Sequence, residues 1–176
     1  MWSKDKQSNV SDFPEFDPEE VVEIEEIEHD PPATERSLAR RASLQILYEI
    51  DSSGHLPGMV MSNRIKAIEL DGDAVRYLRM LVEGTVKHRQ LLDTIIRHYA
   101  TEWPVEQIAL IDRNILRLAL FELVIDRSVP VAVVIDEAVA LARVFSSESA
   151  MSFVNGVLGR IVRDEEGLKK ILEAVL

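Results

Sequence analysis

Beyond Thr34, apolar side chains recur at every third or fourth position through most of the chain, the spacing of amphipathic helices. At about 100° per residue, Ala39, Ala42, Ile46, Leu47 and Ile50 share one broad face, and Thr34 precedes them as a candidate N-cap. Asp51-Ser52-Ser53-Gly54 ends this first helix. His55 to Gly58 reads as a loop and Met59 to Leu70 as a weak helix. Asp73 is the expected cap of one long helix carrying Leu78, Leu81, Val82, Val86, Leu91, Leu92, Ile95 and Ile96. Trp103-Pro104 punctuates the middle. Ile108, Ile111, Ile115, Leu118 and Leu120 then give a helix apolar on most sides, which belongs at the centre of a fold. Helices are expected over Val131 to Phe145, 150–163 and about 166–175. The β-branched stretch VPVAVVI has no partner strand, so the expected class is all-α.

One stretch resists this pattern. FVNGVLGRIV, Phe153 to Val162, places Asn155, Gly156 and Gly159 inside an apolar helical repeat. A glycine costs about 1 kcal/mol relative to alanine in a helix interior. Either the stretch is a turn, or a helix must pass very close to something there.

Charge divides the chain. Residues 1–35 hold twelve Asp or Glu against two Lys, so nearly all of the formal charge of −11 sits in that fifth. The nineteen acids and eighteen Lys or Arg of residues 36–176 nearly cancel. The first segment, with its prolines and dense like charge, is expected to be a disordered arm over 1–33, joined to a helical domain over 34–176. Within the arm, EEVVEIEEIE is expected to form at most a short helix, stopped by Asp30-Pro31-Pro32. There is no cysteine, no apolar run of membrane-spanning length and no signal-peptide core. These features predict a soluble cytoplasmic protein without membrane association.

Chemistry-bearing residues are few. Four histidines show no ligand spacing, so no metal or other cofactor is expected. No phosphate loop and no nucleophile–base pair is present, which leaves an enzyme without support. Asp136 and Glu137 read as acids favoured near a helix start, and Glu122 as a partner for an arginine such as Arg117. The first helix carries Arg36, Arg40, Arg41 and Tyr48, with Arg41 and Tyr48 about 20° apart and away from the apolar face. Cations beside an exposed ring suit single-stranded RNA, since charge holds phosphate while the ring stacks a base. Arg76, Tyr77, Arg79, Lys87 and Arg89 offer a second such set. On residue pattern alone the favoured reading is an ordinary solvated face with a half-buried tyrosine for the first set, and a core Tyr77 flanked by solubility charge at Arg76 and Arg79 for the second.

Four stretches in register carry a resemblance: ARRASLQILYEID, IDRNILRLALFEL, VPVAVVIDEAVALARVF and MSFVNGVLGRI. Over residues 34–165 the chain resembles the NusB family of transcription antitermination factors. The resemblance implies a compact helical fold of two small packed subdomains and a non-enzymatic role. It implies binding to the boxA element of ribosomal RNA leaders jointly with the ribosomal protein NusE. It further implies assembly with other Nus factors on RNA polymerase. Carried across, the RNA face comprises Arg36, Arg40, Arg41, Tyr48, Tyr77 and Arg79, with Ser149, Ser152 and Phe153 near both RNA and protein partner. Glu137 falls in the half that meets the ribosomal protein. The resemblance also makes FVNGVL helical, with Gly156 admitting a close neighbour and Asn155 bonding a nearby loop.

The chain departs from the family pattern. Ser37 and Leu38 interrupt the arginine run, Glu35 opposes it, and Val131-Ala132 stands where a lysine is common. The phosphate-dependent part of RNA affinity is therefore expected to be weak. Residues 12–30 are expected either to fold over the Arg36–Arg41 region and compete with RNA, or simply to solubilise. Two alternatives stay open: a helical protein-interaction scaffold with weak or no RNA binding, and an RNA-binding module serving a separate methyltransferase. Self-association as a homodimer is also open.

Overall fold

The computed structural model describes residues 33–175. The acidic arm, its expected short helix and its expected competition with RNA lie outside the described residues. Among the described residues eight α-helices follow one another: α1 Glu35–Ser53, α2 Pro57–Ala67, α3 Gly72–Lys87, α4 Arg89–Tyr99, α5 Leu110–Leu120, α6 Val131–Phe145, α7 Glu148–Arg163 and α8 Glu165–Val175. No strand occurs among the described residues. From Val131 on, the VPVAVVI stretch is helical, with Pro130 at the N-cap, because Val134, Ala138, Leu141 and Ala142 recur at helical spacing and are buried.

Helix boundaries follow local chemistry. Thr34 Oγ1 accepts the Ser37 N–H at 3.1 Å and opens α1. Gly54, at φ +70°, closes it with its N–H on the Ile50 carbonyl. Asp71, not Asp73, caps α3: its Oδ1 accepts the Ala74 N–H at 2.7 Å, while Asp73 lies in the first turn and pairs with Arg76. The single long helix expected through Ile96 is two helices. His88, at φ −98° and ψ 13°, ends α3 and starts α4, although no glycine or proline marks the break.

α1 packs on α3, α2 and α5, while α6 packs on α7. α5 touches α1, α3, α4, α6 and α7, which makes it the central helix that its composition predicted. Ile115, Leu116, Leu118 and Leu120 are wholly or almost wholly buried. Each such side chain contributes about 1.5–3 kcal/mol through burial. Ile108 precedes α5 rather than belonging to it, as the C-cap of a 3-10 turn at Val105–Gln107.

α5 does not end cleanly. Phe121–Asp126 forms a π-helical turn, closed by Arg127 at φ 55°. Glu122 is buried there, and the Phe121 ring packs on Gly84 of α3. The close approach expected at Gly156 occurs instead at Gly84. A Cβ on Gly84 would overlap the buried Phe121 ring, whereas one on Gly156 would meet nothing. Asn155 is exposed and its side chain bonds no loop. The FVNGVL segment is helical nonetheless, with Val154, Val157 and Leu158 fully buried.

Candidate nucleic-acid interface

The arginines of α1 split by direction. At about 100° per residue, Arg40 lies 20° from the buried Leu47, and Arg36 falls on the same side. Arg41 and Tyr48 lie on another stripe with Leu38, Gln45 and Ser52, where every side chain is exposed or half-buried. Tyr48 retains 44% of its surface.

Arg40 is 2% exposed and Tyr77 is 7% exposed, so neither lies on the solvent-facing RNA surface where it was expected. The reason is Glu122, which follows the buried Leu118 by four residues and Ile115 by seven and so shares their inward face. Its carboxylate accepts Arg40 Nε–H at 2.9 Å and Nη2–H at 2.8 Å, and it also accepts the Tyr77 hydroxyl. Glu122 therefore pairs with Arg40, not with Arg117. Burial opposes the Arg40 charge, but the Glu122 bond and charge outweigh it and the guanidinium pKa rises. Burial pushes the Tyr77 hydroxyl far up, and the bond to Glu122 adds to that.

Glu137 joins the same cluster. Its Oε1 accepts the Ser37 hydroxyl at 2.6 Å and its Oε2 lies 3.7 Å from Arg40. No acid occupies the first turn of α6, so Asp136 and Glu137 do not serve the helix dipole as expected. The Arg36 guanidinium sits over the Tyr77 ring, 4.8 Å from its centroid. Arg36, Arg41 and Arg79 form no ion pair with any described residue.

Arg117 belongs to a different network. It donates to both oxygens of Asp93, at 2.6 and 2.8 Å, and to Asp51 at 2.7 Å. Those bonds tie α5 to α4 and to the end of α1, and they leave Arg117 without an outward role.

Ser149, Ser152 and Phe153 line one groove of about 620 Å³, between the start of α7 and the Trp103 loop. Trp103, Asp112, Gly156 and Arg160 are among its other lining residues. Trp103 is 55% exposed, and Asp112 Oδ1 is buried without a hydrogen-bond partner. Neither was a sequence candidate, although an aromatic beside Pro104 at a helix break was a usable signal. Open space at Gly156 answers the glycine question at this position: the missing side chain widens the groove rather than admitting a helix.

The described residues thus present three patches: Arg36 on Tyr77, the Arg41–Tyr48 stripe, and the Ser149–Phe153 groove. Arg79 is exposed, about 200° around α3 from Tyr77, and joins none of them by a direct contact. No described group of three His, Asp or Glu residues is placed to hold a metal ion.

A family model described as the NusB family matches residues 37–163. The transcription antitermination protein NusB of Chloroflexus aggregans is 44% identical over 132 residues, covering 74% of this chain and 88% of that protein. Its counterpart in Dehalococcoides mccartyi strain CBDB1 is 44% identical over 128 residues, covering 73% and 90%. A crystal structure of antitermination factors NusB and NusE in complex with dsRNA matches with TM-score 0.68 and 31% identity, over 73% of this chain and 96% of that one. The family match runs from within α1 to the end of α7; Arg36 lies just before its first residue. With the fold, the motifs and the matched length in agreement, this chain belongs to the NusB family.

Proposed function

We propose that this protein is an RNA-binding transcription antitermination factor of the cytoplasm. It engages the boxA element of nascent ribosomal RNA leaders together with the ribosomal protein NusE, and joins other Nus factors on RNA polymerase. Family membership makes it a non-catalytic factor. The observation that carries the RNA reading is the set of outward cations: Arg36, Arg41 and Arg79 have no carboxylate partner among the described residues, and Tyr48 stands open beside Arg41. Unpaired guanidinium groups bind phosphate without first breaking an ion pair. The likeness to a NusB–NusE complex with RNA supports the choice of ligands. Glu137 and the Ser149–Phe153 groove are the surfaces proposed for the protein partner.

The near-neutral domain charge makes RNA binding depend on that partner. Titration of labelled boxA RNA, with and without NusE, tests this. A tenfold gain with NusE present is about 1.4 kcal/mol of coupling and is the expected result. Equal affinity for boxA and a scrambled RNA, in both titrations, would overturn the reading. The withdrawal of Arg40 and Tyr77 from the surface favours the second reading, a protein-interaction scaffold. NusE binding without RNA binding would select it.

A further inference from the structure

The buried triad and the exposed Arg36 are one construction. Arg36 and Arg40 lie one turn apart on α1 and both place their guanidinium groups over the Tyr77 ring, at 4.8 and 5.2 Å from its centroid. The ring is fixed at its far end, because the Tyr77 hydroxyl donates to Glu122. Glu122 is fixed in turn by two bonds from Arg40. The acids that line the cleft around Arg36 are otherwise engaged. Glu35 accepts the Asp71 N–H at 3.2 Å, Asp71 caps α3 and Asp73 pairs with Arg76. Arg36 is left as an exposed cation whose one recorded side-chain contact is an aromatic face.

A free arginine carries many rotamers, and fixing them opposes binding. A guanidinium already seated on a rigid ring has lost much of that freedom before the ligand arrives. We infer that Tyr77 and Glu122 are positioning residues for RNA: they touch no nucleotide, and act by holding Arg36 in its phosphate-binding orientation. This inference rests on the RNA reading above and replaces the direct contact that the sequence suggested for Tyr77.

The test is a double-mutant cycle on boxA RNA affinity in the full chain with NusE present. Arg36→Ala is expected to weaken binding about tenfold, the scale of one charge-assisted hydrogen bond. Tyr77→Leu is expected to weaken binding roughly threefold in the wild-type background, by partial loss of preorganisation, and not at all in the Arg36→Ala background. Tyr77→Phe keeps the ring and the core volume and is expected to fall between wild type and Tyr77→Leu. It serves as the readout should Tyr77→Leu fail to fold. Without RNA, the Arg36 Hε resonance is expected to show a ring-current shift that Tyr77→Leu abolishes. Equal losses in both backgrounds, or full wild-type affinity in Tyr77→Leu and Tyr77→Phe, would overturn the positioning role while the RNA reading stands. Failure of the wild-type chain to bind RNA would overturn both.

Discussion

Arg40 and Arg41 follow one another on α1 and meet opposite conditions. Arg40 is sealed, bonded twice to Glu122 and pressed on the Tyr77 ring; Arg41 is half-exposed on a stripe with Tyr48 and has no ion-pair partner among the described residues. One residue's rotation about the helix, about 100°, separates a group that holds the fold from one available to a ligand. Counting arginines therefore overstates the cations available at the surface, because the core has sealed Arg40 and Arg117 in ion pairs.

The sharpest way to break this contrast is to remove one partner of the buried pair. Glu122→Ala leaves the sealed Arg40 charge with only Glu137, 3.7 Å away, as an acidic neighbour and is expected to cost about 3 kcal/mol in urea denaturation. Replacing the whole triad, as Arg40→Met with Tyr77→Phe and Glu122→Leu, is expected to recover most of that loss, because no polar group is then stranded. A cost below about 1 kcal/mol for the single variant would place the pair with ordinary surface bridges.

The two glycines separate in the same manner. Gly84→Ala forces the Phe121 ring to move and is expected to cost about 1–3 kcal/mol. Gly156→Ala enters open space in a helix and is expected to stabilise by roughly 0.4–1 kcal/mol, read as a rise in melting temperature. On the outward stripe, Tyr48→Ala is expected to change stability by less than about 0.5 kcal/mol. In RNA titration the same variant is expected to lose about 1 kcal/mol, the low end for one stacked base.

The smallest expected effect concerns α8, which buries no residue fully. The Gly167 N–H and the Tyr99 hydroxyl hold the Asp164 carboxyl below its usual value, while burial, with the bond to Asp164, pushes the Tyr99 hydroxyl up to about 12. A lowered carboxylate contributes stability that is present above its unfolded pKa and lost as pH falls through the folded value. Asp164→Asn is therefore expected to loosen α8 at pH 7 and to make no difference below the folded value. Hydrogen exchange of the α8 amides reads this directly, and equal exchange in variant and wild type at pH 7 would contradict it.

Most helices were legible because their caps and stripes are local: Thr34, Gly54 and the valine-alanine repeat of α6 need no tertiary information. The break at His88 was not, since the backbone turns there without a residue that favours turning. The π-turn was hidden for another reason. FELVID follows a segment apolar on nearly every side, so an added residue shifts no visible stripe. Glu122 was matched to Arg117 because the two are close in sequence, whereas its partner Arg40 lies 82 residues away, beyond the reach of any local pattern. Yet one signal was available: Arg40 and Leu47 lie seven residues apart, so a buried Leu47 drags Arg40 inward with it. The groove at Trp103 and Gly156 depends on two distant segments meeting, which no local pattern records.

Under the proposed function, the unpaired outward cations Arg36, Arg41 and Arg79 hold the nucleic acid through its phosphates. The most direct test of that reading is the salt dependence of boxA RNA affinity for wild type and for the variant combining Arg36→Ala, Arg41→Ala and Arg79→Ala, with melting temperature measured alongside. The expected result is an unchanged melting temperature and a log-affinity slope shallower by about 2, three lost phosphate contacts at roughly 0.7 each on single-stranded RNA. An unchanged slope and affinity in the variant would contradict it.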